Sequence, residues 1–400
     1  MIPVFDCTAP WLILAPHLKY PLVNGADISI ENIGKYISHH VEHVTIVGQK
    51  TIRIFKMAQL VEEKFYLNED ISKISASIRT LLFRDHYLKS KFNTSEFNEQ
   101  AVTYLDNAIY KTVLYSFIST TAVKELSVPH SDRVNIVWTH NDEFKWFEDI
   151  KKKTINPLAK LAASLSLRWL RNWFHENSGN YLLLHVTEDD ASGYCTFFPN
   201  HKFLQVSIGV EEEDTRLPIV SHNTNHNTIS LLFLGSLSNK MNLDALNHFK
   251  DSFYFILEKQ LAGRLTVKIV GSNPSPGVRR VCQECSWELY PNVDNNGLVS
   301  LLHQADFSIM PFQYVTGAKL KLLKTLANGL PFLGTSAMAS QLDYLPTNCL
   351  LSDDPQEWVE HLLATANRGG IPPEDRAALQ VYARQFSWRS VATKLYNSLQ

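Results

Sequence analysis

The sequence predicts an α/β protein of two Rossmann-like domains, and three observations carry that expectation. Residues 305–335 (ADFSIMPFQYVTGAKLKLLKTLANGLPFLGT) read as a buried strand at 307–310, a turn-rich loop at 311–317, a helix at 319–328, a Gly329 C-cap and a second buried strand at 331–333. That is a βαβ unit. Residues 11–48 repeat the pattern, with an apolar strand at 11–15, a Pro- and Gly-punctuated loop, a helix ending near His40 and a strand at 44–48. The third is size: 400 residues, 45% apolar and 20% charged, exceed one small core and suit two.

Composition also excludes. A net charge of −2 gives no global basic field, so a dedicated nucleic-acid binder is not expected and any anion site must be local. The first sixteen residues lack a basic leader, Pro10 and Pro16 break their apolar run, and no other stretch approaches bilayer-spanning length. Five scattered cysteines make no disulfide framework and suit a reducing compartment, so the expected location is the cytoplasm.

Taken in order, the loop at 16–28 carries Asn24-Gly25-Ala26, which is a turn glycine or a site of close backbone approach, and it is not a dinucleotide fingerprint. Residues 51–111 are expected to be mostly helical, with Ile71, Ile74, Ile78, Leu81 and Leu82 in a stripe at helical spacing and Ser95 capping a helix to about Tyr110. Strands follow at 112–120 and 134–139. His140, at the C-terminal end of the second, lies where open α/β sheets place ligands, while Asn141 or Asp142 can cap the next helix.

Residues 145–174 hold seven basic side chains against two acidic ones, with Trp146, Trp169 and Trp173. Leu158, Leu161, Leu165, Trp169 and Trp173 share one face, opposite Lys160, Ser164 and Arg171. That pattern fits an interfacial amphipathic helix or a helix packed on the first sheet. Strands are expected at 181–187 and 203–208. Glu188, Asp189 and Asp190 between them read as a helix start, since three adjacent carboxylates cannot all face one ion. Residues 212–228 are polar and linker-like, and His222 and His226 lack a helix to align them on zinc. Cys282 and Cys285 form a lone CxxC near a helix end, a poor place for a reactive thiolate. Helices at 372–400, interrupted at Ser387-Trp388, close the chain.

The helix at 319–328 carries the chemistry. Leu322, Leu323, Leu326 and Ala327 fall on one face, with Lys321 and Lys324 on the other. Lys319, Lys321 and Lys324 crowd the half where the macrodipole is already positive, at a cost of up to about 1 kcal/mol each. An anion bound on the exposed N–H groups reverses that sign.

The run T-G-x-K-L-K at 316–321, after a strand ending in Pro311 and before A-x-G-L-P at 327–331, resembles the donor-binding segment of retaining family-four glycosyltransferases of the GT-B fold. The resemblance extends over 231–237, 242–249 and 265–274, and more thinly over 21–27, 134–142 and 186–209, where SIGVE at 207–211 resembles an interdomain turn. It implies an acceptor domain at 1–212, a linker at 213–228, a donor domain at 229–385 facing the first across a cleft, and a helix at 386–400 returning to the first domain. It implies transfer of a sugar from a nucleotide diphosphate sugar to a glycan or lipid-linked hydroxyl, with retention, no cofactor and no obligatory metal, in envelope or exopolysaccharide synthesis. His140, Lys319 and Lys321 are the implied catalytic residues. The implied donor contacts are Gly25, Gly235, Ser236, Lys240, Gly271, Asn292, Val293, Thr316, Gly317, Ala318, Leu320 and Lys324. A lipid-linked acceptor adds a peripheral membrane contact through 145–174 at the inner face of the membrane. Two positions depart: Thr316 and Lys324 stand where the family has glutamates, and a lysine cannot accept the protons of ribose hydroxyls. Another group binds the ribose, or the donor differs, or catalysis is lost. A non-catalytic GT-B partner subunit or nucleotide-sugar-binding protein and a nucleotide-sugar epimerase are therefore carried as alternatives.

Overall fold

Two open sheets, one of eight strands and one of six, organise the chain. The computed structural model describes residues 8–22, 25–177, 179–197, 201–216, 228–315 and 320–400. Two compact units result, Met1–Ile208 with Trp388–Gln400, and Gly209–Ser387.

The first unit runs β1 (Trp11–Leu14), α1 (Gly25–Ile37), β2 (Val44–Val47), β3 (Thr51–Lys56), β4 (Gln59–Phe65), α2 (Lys73–Phe83), α3 (Tyr87–Phe92), α4 (Ser95–Leu105), β5 (Thr112–Ser116), β6 (Val134–Trp138), α5 (Glu143–Lys153), α6 (Pro157–Asn177), β7 (Leu182–His185), α7 (Glu188–Phe197) and β8 (Lys202–Gln205). The sheet order is β4-β3-β2-β1-β5-β6-β7-β8, parallel except for the hairpin of β3 and β4. The apolar runs WLIL and VTIV are buried throughout, as central parallel strands require. Because β1 has β2 on one side and β5 on the other, the strand order reverses there and leaves a crevice at the carboxyl ends.

Several expectations are corrected. Residues 51–65 are a hairpin and not helical: T-I-R-I-F alternates β-branched residues, and Met57 and Ala58, at φ of 51° and 59°, close a tight turn. Thr94, not Ser95, caps α4, its hydroxyl accepting from Phe97 N, and that helix ends at Leu105. The strand expected at 112–120 stops at Ser116 and gives way to a 3₁₀ helix, Ile118–Leu126. The basic stretch at 145–174 spans two helices, broken before Pro157. On α6 the buried face is Ala162, Ala163, Ser166, Leu167, Leu170, Trp173 and Phe174. Trp173 is therefore core, Trp169 packs against the core, and Leu158 and Leu161 are half exposed. On α2 the small residues Ala76 and Thr80 are buried, while Ile74, Ile78 and Leu82 face water. The acids at 188–190 open α7: Thr187 Oγ1 accepts from Asp190 N (3.1 Å) and donates to Asp190 Oδ2 (2.7 Å).

The second unit begins with a short turn, Asp214–Arg216, followed by β9 (Ile229–Leu234), α8 (Lys240–Phe249), α9 (Phe255–Gln260), β10 (Leu265–Gly271), α10 (Pro276–Glu284), β11 (Glu288–Pro291), α11 (Asn295–His303), β12 (Phe307–Met310), α12 (Leu320–Ala327), β13 (Phe332–Gly334), β14 (Leu350–Leu351), α13 (Pro355–Asn367) and α14 (Pro373–Arg384). Its sheet is wholly parallel in the order β11-β10-β9-β12-β13-β14, reversing between β9 and β12. Gly329 ends α12 in the left-handed region at φ 68°. The turn at Asp214–Arg216, which the sequence assigns to a linker, packs on α12 and α14, with Arg384 Nη2 donating to Thr215 O (3.0 Å). His222 and His226 lie outside the described residues. Cys282 and Cys285 are buried, and burial pushes the Cys282 thiol up to about 11, away from thiolate chemistry. The closing helix, α15 (Trp388–Ser398), belongs to the first unit: it packs on α1, and Tyr396 stacks on the His40 ring with centroids 4.7 Å apart.

Candidate functional site

In the second unit the crevice between β9 and β12 is lined from three directions. At the end of β9, Gly235 leaves room that a side chain would close: a Cβ there would lie 2.8 Å from Asn242 Nδ2 and 3.0 Å from Lys321 Nζ. Asn242, from α8, donates to Ser236 O (2.7 Å) and so fixes the turn. Its Oδ1 accepts from Lys321 Nζ (2.7 Å), and the ammonium sits over the rings of Phe312, 4.6 Å from its centroid, and Phe233, at 5.0 Å. A neutral amide and two aromatic faces orient this cation. At the end of β10, Gly271 is required by contact, since a Cβ would come 1.7 Å from Gly235 O.

The other sequence-predicted contacts of this unit distribute unevenly. Thr316, Gly317, Ala318 and Lys319 lie outside the described residues. Leu320 starts α12, half-buried. Ser236 is exposed, its hydroxyl 3.2 Å from that of Ser238. Lys240 is exposed in the first turn of α8 and pairs with Asp244 (2.7 Å). Asn292 is left-handed, φ 55°, and serves the backbone: its N–H donates to Gly271 O (2.9 Å) and its Oδ1 accepts from Asn273 N (2.9 Å). Val293, partly buried, packs against the core cluster that contains Leu232, Val270 and Leu302. Lys324 donates to both carboxylate oxygens of Asp214 (2.7 and 2.8 Å) and to Asn295 Oδ1 (3.2 Å). Asp214 is a partner that no local pattern announces, because 110 residues separate the two.

In the first unit the carboxyl ends of β1, β5 and β6 bring three polar side chains together. His140 follows β6 in a left-handed conformation, φ 57°, with its ring stacked on Trp138 at 4.9 Å between centroids. Its Nε2 is 2.8 Å from Ser116 Oγ at the end of β5. Burial first, and the neighbouring His17 second, hold its pKa well below the usual imidazole range, so the ring is neutral at working pH. His17, which the sequence reading passed over, lies 5.8 Å from His140 by ring centroid. Burial lowers it to about 3, and neither ring nitrogen has a hydrogen-bond partner among the described residues, Asp27 Oδ1 standing 3.6 Å from Nε2. The signal available was position, three residues past the first parallel strand. Gly25 opens α1, exposed, its carbonyl accepting from Ser29 Oγ (2.7 Å). Asp142, not Asn141, caps α5 through Lys145 N (3.0 Å), which leaves His140 outside the helix. Among the described residues no group of three His, Cys, Asp or Glu is placed to hold a metal ion.

Two crevices at strand-order reversals, one cationic and one lined by neutral imidazoles and a hydroxyl, suit anion and sugar-hydroxyl binding respectively. No curated protein matches the chain in sequence. Residues 228–368 match the family model described as Glycosyl transferases group 1. Among solved structures the whole chain is similar to sucrose-phosphate synthase from Thermosynechococcus elongatus, with TM-score 0.64, 12% identity, 98% of this chain and 99% of that one covered. It is similar to the catalytic domain of starch synthase IV from Arabidopsis thaliana bound to ADP and acarbose, with TM-score 0.60, 13% identity and coverage of 98% and 99%. It is also similar to a glycosyltransferase involved in lipopolysaccharide biosynthesis, with TM-score 0.59, 14% identity and coverage of 98% and 99%. At such identities the likeness is one of fold. Residues 228–368 are thus similar to the glycosyl transferases group 1 family, in a chain whose two α/β units have the fold of GT-B glycosyltransferases.

Proposed function

We propose that this chain transfers a sugar from a nucleotide diphosphate sugar to a hydroxyl of a glycan or lipid-linked acceptor, with retention of anomeric configuration, in cytoplasmic envelope or exopolysaccharide synthesis. The observation that carries the reading is the Lys321 ammonium at the Gly235 turn, oriented by Asn242 and by the rings of Phe233 and Phe312. When the sugar leaves, negative charge grows on the β-phosphate, and an ammonium already in place stabilises it more in the transition state than in the ground state. The family resemblance assigns Lys319 and residues 316–318, which lie outside the described residues, to the same work. This chemistry asks for no divalent ion. His140, kept neutral and held by Ser116, is assigned to a sugar hydroxyl. A peripheral contact at the inner membrane face, through 145–174, would bring a lipid-linked acceptor within reach.

The Lys324–Asp214 pair favours one second reading. It fills the position where the family resemblance puts a ribose-binding glutamate, so binding without transfer, as a partner subunit would show, is the competitor. Incubation with a panel of nucleotide sugars and acceptors, with and without chelator, decides. The proposal expects a product whose anomeric configuration, read by NMR, matches the donor's and whose yield survives chelator. An inverted anomer rejects retention, and nucleotide binding with no product on any acceptor supports the partner reading.

A further inference from the structure

Two residues at the carboxyl end of the first sheet hold backbone conformations that side chains disfavour, and their rings touch. His140 is at φ 57°, and Phe117, which follows β5, is at φ 70° and ψ 149°. For an aromatic residue that is a genuine outlier, in a region that glycine occupies freely. Such strain persists only where the surroundings over-determine the chain. Here both peptides of Phe117 are pinned. Its N–H donates to Trp138 O (2.9 Å), its carbonyl accepts from Thr120 N (3.2 Å), and the next N–H, that of Ile118, donates to Glu143 Oε1 (3.3 Å). Glu143 is 1% exposed, and its own N–H donates to Tyr194 Oη (3.0 Å), which donates in turn to Asn141 O (3.3 Å). One buried set of bonds therefore fixes the residues after β5 together with those that flank His140.

What the strain delivers is the placement of a ring. Phe117 is only partly buried, so filling the core does not account for it. Its ring centroid lies 4.9 Å from that of His17 and 5.0 Å from that of His140, and the two imidazoles are 5.8 Å apart, so the three close a triangle. Trp138 stacks on the His140 ring, while Phe117 meets it at 56°. Ser116 occupies His140 Nε2, which leaves Nδ1 to a ligand. His17 has no hydrogen-bond partner on either nitrogen among the described residues, so its orientation rests on packing against Phe117 and Phe92. The titratable groups around this triangle are Asp27 of α1, 3.6 Å from His17 Nε2, and Glu143 of α5, which reaches it through Ile118 N.

We propose that Phe117 is a positioning residue, a strained aromatic wall clamped by Glu143 through Ile118 N–H, which holds the His140 and His17 imidazoles in one orientation and shields them from water. A glycine would fit the backbone better but would leave both rings without that wall. The role rests on the assignment of His140 to a sugar hydroxyl in the functional reading. Its test uses neither donor nor acceptor, so either can fail while the other stands.

The experiment is an NMR titration of the imidazole resonances of the full chain, wild type and variants, from about pH 8 to about pH 5. In the wild type His140 should stay neutral over that range and keep one dominant tautomer. Phe117→Gly, which removes the ring and relieves the backbone, and separately Phe117→Ala, which removes the ring alone, should each bring the His140 midpoint into the range, a rise of about one pH unit or more, and shift its nitrogen resonances towards a mixture of tautomers. Phe117→Tyr keeps the ring and should titrate as the wild type does. His185, at the end of β7 and packed among other rings, is the internal control and should not change. An unaltered His140 in the glycine and alanine variants, a wild-type His140 that titrates near its ordinary value, or a tyrosine variant that behaves like the glycine one would overturn the proposal. So would a parallel rise of His185, which would assign Phe117 to the general packing of the unit.

Discussion

His140 shows what burial does to a side chain that the sequence marks only by position. Stacked on Trp138 and bonded to Ser116, its ring has a pKa well below the ordinary value, so it is neutral throughout pH 6–8 and acts there as a hydrogen-bonding group. One neutral hydrogen bond to a sugar hydroxyl contributes about 1.4 kcal/mol. His140→Ala should therefore lower kcat/KM about tenfold, by the same factor at pH 6 and pH 8. A loss that appears only on one side of pH 6.5 would mean that the ring titrates in the working range. His140 was legible because it ends a strand in a recognisable α/β series. His17 was not, because in APHLKYP it reads as one polar residue in a loop, and only the fold sets it beside His140 and Asp27.

Among elements, the βαβ unit around α12 was legible almost to the residue, since a fully apolar strand and a helix with one apolar face admit little else. On α2 periodicity failed in an instructive way. It identified a helix, but the face that packs holds the small pair Ala76 and Thr80, which allows close approach to α6, and the conspicuous Ile-Leu row faces water. Hydrophobic period reports that a helix is two-sided and not which side is covered. Lys324 illustrates the same limit, because its partner Asp214 comes from a stretch read as linker. The glycine turns of β9 and β10 are the elements on which the proposed anion crevice depends. A Cβ at Gly271 would overlap Gly235 O, so Gly271→Ala should destabilise the second unit by about 1–3 kcal/mol and weaken nucleotide binding by displacing the Gly235 turn. Urea unfolding checks the first effect. Unaltered stability and unaltered binding would show that the two turns are not mechanically coupled.

At the scale of the whole molecule, buried histidines make the first unit acid-sensitive. His17 and His185 are both lowered to about 3 by burial, His201 adding to the shift of His185. The sign follows from proton uptake: below about pH 6.5 the unfolded chain binds protons that these folded rings refuse. Their contribution is intact above that value and is lost as pH falls towards 3. For two rings the loss at pH 5.5 is at most about 3 kcal/mol. Buried His86 and Glu143, 3.6 Å apart, are shifted to about 3 and about 8 and act in opposite senses, Glu143 more than offsetting His86 over this range, while the buried His140 ring, lowered in the same sense as His17 and His185, adds to the loss. The unfolding temperature of the first unit should therefore drop between pH 7.5 and 5.5, and a constant value would indicate that water reaches these rings. The account as a whole rests on the anion crevice of the second unit, and calorimetry of nucleoside diphosphate binding to the wild type and to Lys321→Ala tests it most directly. A charge-assisted bond of about 1.5–3 kcal/mol predicts affinity about 10- to 150-fold weaker in the variant. Equal affinity in the two proteins, or no binding of any nucleoside diphosphate by the wild type, would contradict it.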